Sequence, residues 1–100
     1  MRHHYLKSEP QSSSAHWAVG RTAAHPSAVL IQISDAKGKQ VRSTSTAEEA
    51  RALAQQLRDV LAFADRAPVR ISERGETVQL ILHRQDGLEM AEAIDAIARS

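Results

Sequence analysis

The chain has 100 residues, of which 42% are hydrophobic and 25% charged, and it contains no cysteine. A chain of this length buries only about 60 to 65% of the surface that its unfolded form exposes, which suffices for one core but not for two. Its 13 basic and 12 acidic side chains leave a net charge of +1, so no global field attracts nucleic acid or an anionic membrane. Without cysteine there are no disulfides or thiolate sites, and a cytoplasmic location is expected.

The first 14 residues differ from the rest of the chain in composition. Pro10 and the serines at 12–14 interrupt a segment without apolar periodicity, so nothing in it repays the entropy cost of ordering. We therefore predict a flexible arm over residues 1–14 and a single domain over residues 15–100. The apolar stretches are too short for a membrane span, and no secretion signal is recognisable.

Alternating apolar side chains predict the first strands. Trp17 and Val19 alternate with smaller or polar residues up to Gly20, and β-branched residues alternate over 29–34. The turn residues at 35–38 then predict a hairpin, whose second strand covers residues 39–44. This second strand has few large apolar side chains and is typical of a sheet edge.

Two helices are predicted by capping signals and apolar stripes. Thr46 and Glu49 form a capping box, and the helix that follows is expected to continue for about five turns towards Pro68. After Pro68, strands are predicted over 69–72 and 77–84 around the turn Arg74-Gly75. Asp86 and Glu89 predict a second capping box and a second helix.

Together these elements predict an α+β fold, a two-layer sandwich in which an antiparallel sheet of four to five strands carries two helices on one face. The segments 33–41 and 71–78 can be aligned with one gap, which indicates a ββα-ββα repeat. Two explanations of this similarity are open: the halves arose by gene duplication, or they look alike because hairpin turns generally require glycine.

No arrangement of residues indicates catalysis, a cofactor or a metal ion. The histidines are scattered, and none is spaced from a second ligand as a metal site requires. Neither a nucleophile elbow nor a phosphate-binding loop is present. We therefore expect a protein that is not an enzyme, has no cofactor and takes no small-molecule substrate.

Two features indicate a binding surface instead. Trp17, Leu30 and Ile81 are predicted to lie on the sheet face that the helices do not cover, where either a partner or the N-terminal arm would bury them. The weak edge strand suits pairing with a strand of another protein or of a second copy. The predicted partner-binding residues are Trp17, Leu30, Lys37, Lys39, Arg42, Arg70, Arg74, Ile81 and His83.

The predicted function is therefore a small protein-protein interaction module, acting on another protein or as a homodimer and without a membrane. Its size suggests an accessory or inhibitor protein of phage or mobile-element type. The alternative is nucleic-acid binding through the basic hairpin edge, although no strand carries the stacking aromatic residues of an RNA-binding sheet.

Overall fold

The computed structural model describes residues 16–99 and the backbone of residues 5–7. The elements follow in the order β1 (Tyr5–Lys7), β2 (His16–Gly20), β3 (Val29–Ser34), β4 (Gln40–Ser45), α1 (Ala47–Leu61), β5 (Arg66–Glu73), β6 (Glu76–His83) and α2 (Arg84–Arg99). The sequence did not predict the strand Tyr5–Lys7 within the segment assigned to a flexible arm. The other residues of that segment lie outside the described residues.

The predicted α+β class is confirmed, and all strand pairs are antiparallel. The strands form two sheets, one in the order β1-β2-β3-β4 and one made of β5 and β6. The predicted single sheet is not confirmed, because no ladder between β4 and β5 is present in the described chain.

Both sheets and both helices contribute to one hydrophobic core. Ile31 and Ile33 of β3 and Val69 of β5 are almost completely buried, as are Ile94 and Ile97 of α2. The inward side chains of β6 and α1 also belong to this core, namely Val78, Leu80, Leu82, Ala50, Ala54, Leu57 and Leu61. The second hairpin is therefore held to the first sheet by side-chain packing rather than by backbone pairing.

The two hairpins turn in different ways. In the first, Gly38 has a φ of 88°, and the Asp35 carboxylate accepts hydrogen bonds from the N–H groups of Lys37 and Lys39, both at 2.9 Å. In the second, only Arg74 and Gly75 connect the strands, with φ values of 55° and 80°. A two-residue loop with both φ values positive has the type I′ geometry. This difference is one reason why the predicted repeat is not confirmed.

Helix α1 begins as predicted but ends earlier. Thr46 Oγ1 accepts the Glu49 N–H at 3.0 Å and Glu49 Oε1 accepts the Thr46 N–H at 3.1 Å, which confirms the capping box. The helix ends at Leu61, whose carbonyl accepts a hydrogen bond from Arg84 Nε at 3.0 Å. The expected continuation towards Pro68 is wrong, because Pro68 lies inside β5.

Helix α2 begins immediately after β6, so the predicted capping box at Asp86 is wrong. Asp86 lies in the first turn of the helix, where its carboxylate accepts the Trp17 indole N–H at 3.2 Å. Trp17 is only 3% exposed and belongs to the core, so its predicted place on the uncovered face is also wrong. The helix can pack closely on α1 because residue 87 is glycine: a Cβ there would stand 2.5 Å from Leu61 Cδ1.

Candidate functional site

A polar cleft of about 460 Å³ lies between β4 and the tip of the β5–β6 hairpin. Gln40, Arg42 and Thr44 line one side, and Glu73 and Arg74 line the other. All five residues are exposed. This feature, termed here the β4 cleft, joins the strand that the sequence marked as a weak edge to the turn of the second hairpin.

The first turn determines which backbone groups of β4 point towards its free edge. The Asp35 N–H donates to the Lys39 carbonyl at 2.9 Å, so this pair occupies a hydrogen-bonded position of the ladder. Because such positions alternate, the pairs that contain Gln40, Arg42 and Thr44 are not hydrogen-bonded to β3. Their N–H and C=O groups consequently point away from β3.

These groups belong to an edge strand. Within the described part of the chain, β3 is the only strand that forms a ladder with β4. No backbone hydrogen bond among residues 16–99 joins β4 to β5, although the two strands are neighbours. The outward backbone groups of these three residues therefore have no ladder partner among the described strands, as is typical of a sheet edge.

The charges around the cleft are mixed, with basic groups in the majority. Arg42 on one wall and Arg74 on the other are basic, whereas Glu73, next to Arg74, is acidic. Arg42 Nε also donates to Gln32 Oε1 at 3.3 Å. Next to the cleft, Lys39 Nζ lies 3.3 Å from Glu76 Oε1, and both side chains are about half exposed. An ion pair of this exposure contributes at most about 1 kcal/mol, so it positions the hairpin tip only weakly.

The backbone of Arg74 is strained. Its φ of 55° lies in the left-handed region, which costs a residue with a side chain about 1 kcal/mol or more. Asparagine and glycine are the residues that this turn position normally favours. A strained arginine that lines an open cleft is consistent with a binding role for its side chain.

The structure brings together only some of the predicted partner-binding residues. Arg42 and Arg74 line the cleft, Lys39 bridges to Glu76 beside it, and Lys37 lies exposed in the adjoining turn. The other predicted residues do not line it: Trp17 is buried, Leu30 is half-buried on β3, and Arg70, Ile81 and His83 are exposed on the β5–β6 hairpin. Leu30 and Ile81 lie in separate sheets, so they are not neighbours in one ladder.

Gln40, Thr44 and Glu73 also line the cleft, although they are not among the predicted partner-binding residues. The alternation around buried Val41 is a signal that could have identified two of them, since it places Gln40 and Thr44 on the same face as Arg42. Glu73 could not be identified in this way, because its place depends on how the second hairpin packs against β4.

The part of the chain that the structure describes has no group of three or more metal-ligating side chains. In the same residues, no helix combines the length and the apolar character that crossing a membrane requires.

Comparison of the chain with protein-family models, with curated proteins and with solved structures finds no match.

Proposed function

We propose that this domain is a protein-protein interaction module that binds an extended segment of a partner protein as an additional strand along β4. The proposal depends on one observation, the outward backbone groups of Gln40, Arg42 and Thr44 on an edge strand beside an open cleft. In binding of this kind, main-chain hydrogen bonds provide affinity, and pockets for alternate side chains provide specificity.

The charges of the cleft favour a segment that carries acidic side chains. Arg42 and Arg74 both line the cleft and are exposed, and Lys37 lies in the turn at one end of β4. An aspartate or glutamate at alternate positions of the bound strand would meet these groups on the outer face of the sheet. The size-based expectation of an accessory protein of mobile-element type stays a prediction.

Nucleic-acid binding remains the alternative, but the placement of the acidic residues does not favour it. Glu73 lines the same cleft as Arg42, and Glu76 pairs with Lys39 beside it. Interleaved carboxylates reduce the number of phosphates that a basic surface can neutralise. Binding that weakens steeply with rising salt and requires no backbone pairing would favour this alternative.

Proline substitution can separate backbone pairing from side-chain recognition. The Thr44 N–H points away from β3, so Thr44→Pro removes one donor from the free edge without removing a bond of the β3–β4 ladder. Thr44→Val is the matched control, because it changes the side chain but keeps the N–H. A displayed library of random peptides about ten residues long serves as the probe.

We expect peptides selected on the wild-type protein to bind Thr44→Val normally and to lose about tenfold or more in affinity for Thr44→Pro. We also expect acidic residues to be enriched at alternate positions of these peptides. Equal binding to the two variants would overturn the proposal and would indicate another surface, such as the edge of β6.

A further inference from the structure

Phe63 is the most exposed of the large hydrophobic residues that the structure describes. It is 92% exposed, whereas Val60, Ile81 and Leu88 are 37%, 50% and 40% exposed. Phe63 follows the end of α1, where its N–H donates to the Val60 carbonyl at 3.1 Å. An aromatic side chain left in water is a candidate anchor for association, because its burial contributes more hydrophobic free energy than that of most side chains.

An apolar groove of about 160 Å³ opens between α1 and β5, and Val60 forms part of its wall. Leu53, Leu57, Ala67 and Pro68 form the rest of the apolar wall. The apolar surface continues from Pro68 to Ile81, its cross-strand partner on β6. Phe63 follows the groove residue Val60 by three positions, and the Ala64 N–H donates to the Val60 carbonyl at 2.9 Å, so the chain makes a further helical turn here. Residues three apart in such a turn lie on the same side, which puts Phe63 beside the groove.

The size of the groove fits a phenyl ring. An apolar cavity of about 150 Å³ in a protein holds one benzene molecule, which corresponds to the ring of a phenylalanine side chain. The chain contains one phenylalanine, so a second copy of the chain offers one ring for each groove.

We infer that two copies of this chain associate through a two-fold contact in which Phe63 of each copy enters the α1–β5 groove of the other. A closed pair of this kind requires that the inserted group and its receptor lie on the same face of each copy, since the same surface then serves both partners. This condition is met because Val60 lines the groove and Phe63 follows it by one turn on the same side of the chain.

The charges on this face are complementary under the same two-fold symmetry. Asp59 and Asp65 lie on either side of Phe63 in the chain, and the Asp65 carboxylate, whose side chain is 91% exposed, lies 3.4 Å from Arg84 Nη2. An ion pair this exposed is weak, so it leaves Asp65 able to meet a second basic group. Arg70 lines the groove and Arg66 lies on the same face of β5, and both are exposed. Insertion of Phe63 brings the acidic residues of one copy towards the basic residues of the other, once on each side of the axis.

This contact shares no residue with the β4 cleft, so it does not depend on the proposed strand addition. A dimer formed in this way uses none of the residues that line the two β4 clefts. It would present two copies of the binding module to one partner, which increases the overall affinity for a partner with repeated segments.

Sedimentation velocity of the full chain from about 1 μM to about 1 mM tests the inference. We expect the wild-type protein to form a dimer as its concentration rises, and Phe63→Ser to raise the dissociation constant about 30-fold or more. Leu30→Ser is the control, because it truncates an apolar residue in the other sheet, and it should change the dissociation constant little. A wild-type protein that stays monomeric up to about 1 mM, or that dimerises unchanged with Phe63→Ser, would overturn the inference.

A complementation experiment distinguishes the proposed contact from a general effect of an exposed aromatic ring. Gln56 borders the groove and is exposed, so Gln56→Trp fills the groove while leaving Phe63 intact. Each variant alone is expected to be monomeric, but a mixture of Phe63→Ser and Gln56→Trp retains one complete insertion and forms a heterodimer. Native mass spectrometry detects this species, and its absence from the mixture contradicts the two-fold contact.

Discussion

The two hairpins present edges of different character, and the edge of β4 has no ladder partner besides β3 among the described strands. On β4, the backbone groups of Gln40, Arg42 and Thr44 point away from β3, and none of these residues is proline. All three therefore carry both a donor and an acceptor along the free edge.

The edge of β5 is blocked. The two-residue turn makes Glu73 and Glu76 a hydrogen-bonded pair. Because hydrogen-bonded and non-hydrogen-bonded pairs alternate along the ladder, the backbone groups of Pro68 point away from β6. Proline has no N–H to offer at this position, and the arginines at 66 and 70 place charge on either side of it. The difference indicates that β5 resists strand pairing at this edge, whereas β4 offers a donor and an acceptor at each of its outward positions.

Residues of both hairpins pack in the same hydrophobic core, so we expect the two hairpins to unfold together. Ile33 is completely buried and Leu82 is 3% exposed, so Ile33→Ala and Leu82→Ala should each lower the free energy of unfolding by about 2 to 5 kcal/mol. Urea denaturation measures this change. Ile81→Ala, at a side chain that is 50% exposed, is the control and should cost about 1 kcal/mol or less. Two separate unfolding transitions would show that the hairpins do not share a core.

The comparison also predicts a difference between adjacent positions of β4. The Ser43 N–H points towards β3, so Ser43→Pro should remove a ladder bond and cost about 3 kcal/mol or more of stability. Thr44→Pro should cost about 1 kcal/mol or less, because the N–H it removes bonds nothing in the ladder. Chemical denaturation of both variants tests this, and similar losses of stability would contradict the assignment of the free edge.

The smallest expected effect concerns the turns. Arg74→Asn should raise the free energy of unfolding by about 0.5 to 1 kcal/mol, because asparagine accepts the positive φ more readily than arginine does. Gly38→Ala should lower it by about 1 kcal/mol, because alanine is strained at a φ of 88°. If the Arg74 side chain contacts the bound peptide, Arg74→Asn should also weaken the binding of acidic peptides. A stabilised variant with unchanged affinity would remove Arg74 from the site.

The sequence predicts those parts of the fold that depend on local interactions. The capping box at Thr46 and the alternation over 29–34 identified α1 and β3, because both signals arise from neighbours in the chain. Trp17 pairs with buried Ile33 on the core face of β2, and α2 begins at Arg84, so Asp86 is not its cap. The Asp86 carboxylate instead accepts a hydrogen bond from Trp17, 69 positions away in the chain. A carboxylate before a glycine resembles a helix cap, and only the tertiary packing shows that it binds an indole.

The candidate site was predictable to a similar degree. The weak edge character of β4 is visible in its composition, which led to the selection of Lys39 and Arg42. The opposite wall of the cleft depends on how the second hairpin packs, so no local pattern could place Glu73 there. The exposure of Phe63 could not be predicted either, because the periodicity of α1 does not show that the helix ends at Leu61.

Amide hydrogen exchange of the free protein, followed by NMR, tests the open edge of β4 most directly. We expect the amides of Arg42 and Thr44 to exchange about 100-fold or more faster than those of Val41 and Ser43, whose N–H groups point towards β3. A bound peptide should then slow the exchange at Gln40, Arg42 and Thr44 and leave that of Val41 and Ser43 unchanged. Slow exchange at the Arg42 and Thr44 amides in the free protein would show that the edge is already paired and would contradict the proposed mode of binding.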